Sequence, residues 1–572
     1  MSLKLLEYLD ESNSIKDEFN QTITITSPVL NIEGNVIIND PSYKITSNCD
    51  TIIKCENFEV ETSYISISNI NFEGSVLIKN SDNISIKNSY IKKSKGPDGC
   101  LFVYGSKNVT LSHLTITESS YTGLCLRYNS KVQADNLEIY GIAETLLVCN
   151  SGSTITVTDS KFYNGKANGC FSTSYSPIEI INCTFSGIDY PAIYIENSPC
   201  TIKNCSIKNI DQDGIAIHAS KNFLIEKNEF TLINNSAISI ADESHGEINE
   251  NIIYDVSGNG IYTKKSELTI RNNEISNTKF PAIAIIIKSK ASLFDNKVKN
   301  MIHNGIVCRG ASDVRIEGSV IEDINEGGIS VSDTEKCEIV KNTIKNCSIM
   351  GIEVFNKSNV FAEDNNIMNM KKYAFLVYTS GYIKSEKNSI SDVSIAMAKL
   401  AFKGRGDFTN NYIVNCPNQC EIQTSSPFLF AGNGDFKGIT NQIEKVTSSI
   451  SIENSYVEPV LLCFKCNKNP RDCYILDCGH KIFCQSCAKK ALENKENCPL
   501  CRFPIKNVSS GFGISKDDIC IICLENHPDC IILPCGHMGA CSKCLENWFE
   551  KNQSCPICRA ENSVYKIIGQ DM

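Results

Sequence analysis

No stretch of the sequence reaches the roughly 18 consecutive apolar residues that a membrane span requires, so no membrane partner is expected. The first residues, MSLKLLEYLDESNSIKDEF, turn acidic after a few leucines and do not read as a secretory signal. An excess of positive charge is missing too. Lys and Arg number 55 against 65 Asp and Glu, a formal net charge of -10. That balance argues against a nucleic-acid backbone as the main partner. Trp occurs once and His seven times.

Cysteine is what the chain has in quantity, 30 in 572 residues. Apolar residues make up 42% and charged residues 21%, an ordinary composition with ample material for a core. Length alone suggests about four domains. The cysteines suggest something else. Residues 1–458 hold 14, from Cys49 to Cys420, whereas residues 459–572 hold 16 in a fifth of the length. After Glu458 there are 14 basic and 12 acidic side chains, a charge of +2 against -12 before it. Two regions with different physics follow.

The long region repeats. A short apolar block recurs at Gly99, Gly123, Thr145, Gly169, Ala192, Gly214, Ala237, Gly260, Ala282, Gly305, Gly328, Gly351, Ala374 and Ala396, at spacings of 22 to 24. Each repeat carries short alternating segments rich in β-branched residues, such as Ile65-Ser-Ile67 and Leu268-Thr-Ile270, which suit strands of three to five residues. Asn, Ser, Gly and Lys lie between them as turn residues. One repeat cannot bury a core alone; stacked coils can. Asn recurs in register at Asn228, Asn251, Asn273, Asn296, Asn342, Asn365, Asn388 and Asn411, with Ser319 in the remaining slot. This reads as a ladder of asparagines satisfying backbone groups along the stack. The pattern resembles the pectin-lyase-like right-handed parallel β-helix, with about 16 coils of 22–24 residues over residues 25–425. Leu3, Leu5, Leu6, Tyr8 and Leu9 are expected to form an amphipathic helical cap on the open end of the stack. The 14 cysteines here read as small buried apolar residues, with Cys183 and Cys205 stacked in one column.

The tail is read from Cys463. Cys463-x2-Cys466 is followed by 11 residues, Cys478-x-His480, x3, Cys484-x2-Cys487, 10 residues, and Cys498-x2-Cys501. The same spacings return in Cys520, Cys523, Cys535, His537, Cys541, Cys544, Cys555 and Cys558. Zinc takes four sulfur or nitrogen ligands in a tetrahedron, and a Cys-x2-Cys turn offers two thiolates to one ion. Eight ligands hold two ions, so four Zn2+ are expected. About 40 residues cannot build a sufficient core, so zinc must supply most of the folding free energy. The ligand order, three Cys, one His and four Cys, resembles the RING finger, here in tandem.

The resemblance implies a cross-brace. Cys463, Cys466, Cys484 and Cys487 would share one ion, and Cys478, His480, Cys498 and Cys501 the second. The corresponding sets in the second module are Cys520, Cys523, Cys541, Cys544 and Cys535, His537, Cys555, Cys558. It further implies a ubiquitin ligase that binds a ubiquitin-conjugating enzyme and ubiquitin. The contact residues would be Ile521, Trp548 and Pro556 in the second module, and Phe464 and Pro499 in the first. Arg559 and Arg502 would supply the cation that contacts both ubiquitin and its carrier. Trp548 is the only Trp of the chain, and the first module has Ala491 in its place. The second module is therefore expected to be the competent one. Cys473 and Cys530 read as small buried residues.

The sequence divides accordingly into an N-terminal cap (1–24), the β-helix (25–425), a cap and linker (426–458), a first RING (459–506), a linker (507–516), and a second RING with an apolar tail (517–572). That tail, Val564, Tyr565, Ile567 and Ile568, could complete a RING–RING pair in one chain or between two. The expected place is intracellular, in the cytoplasm. The β-helix is expected to recruit a protein substrate. Two other readings compete. One is a zinc-bearing scaffold without activity. The other is a carbohydrate-active enzyme built on Asp211, Asp213, Asp242, Glu322 and Asp323, with Tyr121, Tyr190, Phe280 and Tyr373 as a stacking strip.

Overall fold

The structure is a computed structural model. It describes residues 2–97, 99–422 and 436–444 and, in the tail, 463–466, 468–469, 473–475, 481–499, 504–509, 520, 522–523, 530–533, 540–550, 554, 556 and 564–567. The chain forms two compact units, Met1–Val446 and Thr447–Met572.

In the first unit almost every strand pairs in parallel with the strand one coil later. Ile193–Glu196 pairs with Ile215–His218, and that with Ile238–Ala241. Cys200–Lys203 and Lys221–Glu226 form a second face, and Ser206–Ile210 and Glu229–Ile233 a third. Fifty strands among the described residues join one ladder system, a solenoid of about 17 turns. The inward positions of all three faces merge into one apolar cluster from Leu5 to Ile413.

The small residue of the repeat block has a steric cause. At Gly214 and Gly260 an added Cβ would lie 2.6 Å from the carbonyl oxygens of Ala237 and Ala282, one coil on. So close an approach leaves no room for a Cβ at these two glycines; most coils carry Gly or Ala at this position, while the register puts Leu146 and Met397 there in two others. The corners are columns of left-handed residues such as Asn182, Asn204 and Asn272 (φ 55°, 52° and 54°) and Asn164, Asn209 and Asn277 (φ 52°, 55° and 54°). Asn and Asp tolerate that region better than other side chains.

The asparagine ladder forms as the sequence predicts. The Asn251 backbone N–H and Nδ2 both donate to Asn273 Oδ1, at 3.0 and 2.9 Å, and Asn273 repeats this onto Asn296. Ser319 keeps the ladder intact by accepting from the Asn296 N–H and donating its own to Asn342 Oδ1. Cys205 donates its N–H to Asn228 Oδ1, and the strand register sets Cys183 beside Cys205 in the same column, their thiols donating to the carbonyls of Ile181 and Lys203. A second ladder, of serines, was not picked out by sequence. Ser198, Ser220, Ser244 and Ser266 each donate a backbone N–H to the hydroxyl of the next serine along.

The N-terminal cap differs from expectation. The helix is a single turn, α1 (Leu5–Tyr8), because Ser2–Lys4 is a strand paired with Asn35–Ile38. An open sheet edge offers unpaired backbone groups, which an extended segment satisfies and a helix cannot. Leu5 and Leu9 still bury against the first coil, with Leu6 and Tyr8 partly buried beside them. Ten of the solenoid cysteines are buried, and burial pushes the thiols of Cys149 and Cys200 up to about 12. No helix among the described residues is long and apolar enough to cross a membrane.

Candidate functional site

The tail is built around thiols. α2 (Gln485–Glu493) follows Cys484, and α3 (Ser542–Phe549) follows Cys541. Both cysteines are the extended N-cap residues of their helices, so each Cys-x2-Cys pair sits where backbone N–H groups have no partner within the helix. The sulfurs of Cys463, Cys466, Cys484 and Cys487 lie within 4.8 Å of one another, as do those of Cys520, Cys523, Cys541 and Cys544. Sequence distance does not predict this closeness; the cross-brace does.

The clusters fit zinc. Zn–S bonds of about 2.3 Å place the corners of a tetrahedron about 3.8 Å apart. Cys466 Sγ and Cys484 Sγ are 3.8 Å apart. Backbone N–H groups of Ile522 and Cys541 point at Cys520 Sγ, at 3.4 and 3.3 Å, as they would to steady a thiolate. Burial works against ionising Cys484, yet bonds from Ser486 and the Cys487 N–H draw it down to about 6. Burial and the neighbouring thiols push Cys487 up to about 12. Four such thiols ionise together only around a cation. Each module thus carries a four-cysteine zinc-binding group. Of the second ligand sets, Cys498 is buried in its module. Cys478, His480, Cys501, Cys535, His537, Cys555 and Cys558 lie outside the described residues.

Cys473 and Cys530 are buried as expected. Cys473–Ile475 pairs with Lys481–Phe483 and with Val508–Ser509. Cys530–Leu533 pairs with Val564–Ile567. The apolar tail is therefore an edge strand of its own module. Val508 and Ser509, read from sequence as linker, do the same for the first module, since a β-branched residue opposite Ile475 extends the hairpin. Phe464 is partly buried on the first module's core, and Pro499 and Pro556 are half-buried. Trp548 is half-buried on α3 and donates its indole N–H to the Ser554 carbonyl at 2.8 Å. Ile522, not singled out by sequence, is 37% exposed beside Cys523. Ile521, Arg502 and Arg559 lie outside the described residues.

Comparison with known proteins agrees with both halves. The family described as "Right handed beta helix region" matches residues 51–189, 170–300 and 282–434. The chain belongs to the right-handed β-helix family. The family described as "Zinc finger, C3HC4 type (RING finger)" matches residues 460–508 and 516–564, so the β-helix is joined to two RING fingers. A Dictyostelium discoideum protein, "Probable serine/threonine-protein kinase gdt4", is 25% identical over 335 residues, covering 56% of this chain and 19% of its own. RING finger protein 141 of Gallus gallus is 42% identical over 47 residues, 8% of this chain and 20% of its own. E3 ubiquitin-protein ligase APD2 of Arabidopsis thaliana is 40% identical over 53 residues, 9% of this chain and 12% of its own. The chain spans a fifth or less of the length of these relatives. Among solved structures, the A-module of mannuronan C-5 epimerase AlgE6 of Azotobacter vinelandii aligns with 66% of this chain and 91% of its own, at 11% identity and a TM-score of 0.34.

On the β-helix the five carboxylates do not converge. Asp211 accepts from Asn234, Asp213 from the Ser236 N–H, and Asp323 from Asn346. Asp242 holds His218 at 3.0 Å and Glu322 pairs with Lys345. Each is taken up by a neighbouring coil. The aromatic strip is split as well: Tyr121 and Tyr190 are exposed, whereas Phe280 and Tyr373 are buried. A cluster that sequence did not reveal lies elsewhere. Glu353 accepts from Ser330 Oγ at 2.6 Å and from the Tyr378 hydroxyl at 2.9 Å. Burial raises its carboxyl above the ordinary range. A register of 23 residues was the available signal, since Ser330 and Glu353 are partners in adjacent strands.

Proposed function

We propose that the chain is a RING-type ubiquitin ligase. Its RINGs, chiefly the second, bind a ubiquitin-conjugating enzyme charged with ubiquitin, and its β-helix binds the protein to be modified. The observation that carries this reading is the pair of four-cysteine clusters at helix N-termini, each inside a RING match, and a likeness over 53 residues to a protein named as a ubiquitin ligase supports it. Reduced thiols suit a reducing compartment, which supports a cytoplasmic location.

In this reading Cys463, Cys466, Cys484 and Cys487 hold one ion, and Cys478, His480, Cys498 and Cys501 the other. In the second module the sets are Cys520, Cys523, Cys541, Cys544 and Cys535, His537, Cys555, Cys558. The ions, held by closed ligand sets, are structural. A substrate lysine attacks the thioester carbonyl, the carrier's thiolate leaves, and an isopeptide bond forms. The RING enters no covalent step; it holds the thioester where the amine can reach it. Ile521, Trp548 and Pro556 form the contact surface, with Phe464 and Pro499 as the weaker counterpart. Arg559, and Arg502 in the first module, donates hydrogen bonds to ubiquitin and its carrier.

The test is conjugation by the purified zinc-loaded chain with activating enzyme, ATP, ubiquitin and a panel of conjugating enzymes. Ubiquitin chains are expected. Arg559→Ala should slow discharge at least about tenfold, the worth of a charge-assisted hydrogen bond, and Arg502→Ala far less. A fully zinc-loaded chain that forms no conjugates with any enzyme would leave the scaffold reading in its place.

A further inference from the structure

The two RINGs share ligand spacing but tie their segments together differently. In the second, the Trp548 indole N–H reaches the carbonyl of Ser554, the residue before Cys555-Pro556. That bond joins α3 to the loop that carries Pro556. In the first, the matching helix position is Ala491, fully buried in the core, and the matching loop residue Asn497 is bridged to Pro504. There the cross-tie is an ion pair between Lys465 and Glu496, which links the first thiol turn to the loop after α2. The position of Lys465 is taken in the second module by the exposed Ile522.

We propose that the Trp548–Ser554 hydrogen bond is the tie that fixes the spacing between α3 and the Pro556 loop, so that Trp548 is a positioning residue and not merely an apolar contact. A half-buried indole needs an acceptor for its N–H. One that finds it in a neighbouring loop orders both its own ring and that loop. Surfaces ordered in advance bind more tightly because less freedom is lost on docking. The second RING therefore holds Trp548 and the Pro556 loop at a spacing set in advance. The first ties its segments by the Lys465–Glu496 ion pair, and its buried Ala491 leaves no ring to anchor. This inference rests on the ligase reading and deepens it.

Trp548 is the chain's only Trp, so the full-length zinc-loaded protein gives one indole N–H resonance. That resonance is expected to exchange slowly with water and to shift when the most active conjugating enzyme of the panel is added. Trp548→Phe keeps a ring and removes the donor. It should retain four zinc ions per chain and the maximal discharge rate, while the half-saturating concentration rises about tenfold, the size of one net hydrogen bond. Trp548→Ala should lose more. A Phe variant with unchanged half-saturation, or an indole N–H exchanging like free indole, would overturn the tie and leave the ligase reading standing. No discharge by the wild type would sink the ligase reading, and with it the docking role of the tie, whatever the indole exchange.

Discussion

The β-helix and the RINGs meet the same demand, a closed interior, in opposite ways. The β-helix spreads one apolar cluster over its whole length, from Leu5 to Ile413, and coil after coil adds to it. The RING clusters hold eleven and six buried residues among those described, and eight of the seventeen are cysteines. A cluster that small has little apolar surface to bury. One residue type thus has two chemistries in one chain. Inside the β-helix, burial alone pushes Cys149 and Cys200 up to about 12, and they pack as small hydrophobes. In the tail, cysteines cap helices and face one another.

The largest expected effect follows from that contrast. A strong zinc chelator should unfold the tail, because structural zinc is worth about 10–16 kcal/mol in modules of this kind. The β-helix should be untouched. Limited proteolysis with circular dichroism reads both at once: cleavage after about residue 459, with the β-signal and its melting unchanged. Loss of the β-signal on chelation would show that the two regions do not stand independently.

This contrast was partly legible in the amino-acid order. The zinc spacing was visible because ligands are few, fixed in type and set by metal geometry. The solenoid period was visible because close backbone approach keeps one position small in most coils, as at Gly214 and Gly260. The asparagine ladder showed for the same reason, as a buried slot that accepts and donates at fixed points. The serine ladder was hidden, since serine is also an ordinary turn residue. Val508–Ser509 was hidden by the Ser/Gly-rich text that follows it, and pairing with Tyr474 and Ile475 depends on contacts that no local pattern records. The Glu353 cluster was hidden because Tyr378 approaches from a different strand position, 25 residues away.

A smaller effect tests what holds the β-helix without metal. Asn273 accepts two hydrogen bonds from Asn251 and donates to the carbonyls of Ile248 and Arg271. Asn273→Ala leaves buried groups unpaired and should cost roughly 3 kcal/mol. Asn273→Ser should cost much less, as Ser319 fills an equivalent slot. The control is Lys279→Ala, at an exposed position of the same coil. Equal losses for Asn273→Ala and Lys279→Ala in denaturant titrations would mean that the ladder is not what holds the column.

The smallest effect is one of pH, and it separates the two regions by sign. Burial is the main cause that lifts the Glu353 carboxyl, and Glu326 adds to it; Ser330, Tyr378 and Arg309 oppose it without cancelling it. The folded chain then holds that proton more tightly than the unfolded chain, whose value is near 4.5. The contribution to stability is full below 4.5 and is lost as pH rises through the raised folded value. Glu353→Gln keeps one acceptor oxygen, turns an amide N–H to the other hydroxyl of the Ser330–Tyr378 pair, and removes the ionisation. It should raise the melting temperature of the β-helix slightly at about pH 8, by less than Asn273→Ala lowers it, and leave it unchanged at about pH 4. The RINGs run the other way, since protons compete with zinc for thiolates and acid releases the metal. A Glu353→Gln gain that is as large in acid as in mild base would mean that packing, not ionisation, sets the cost at this position.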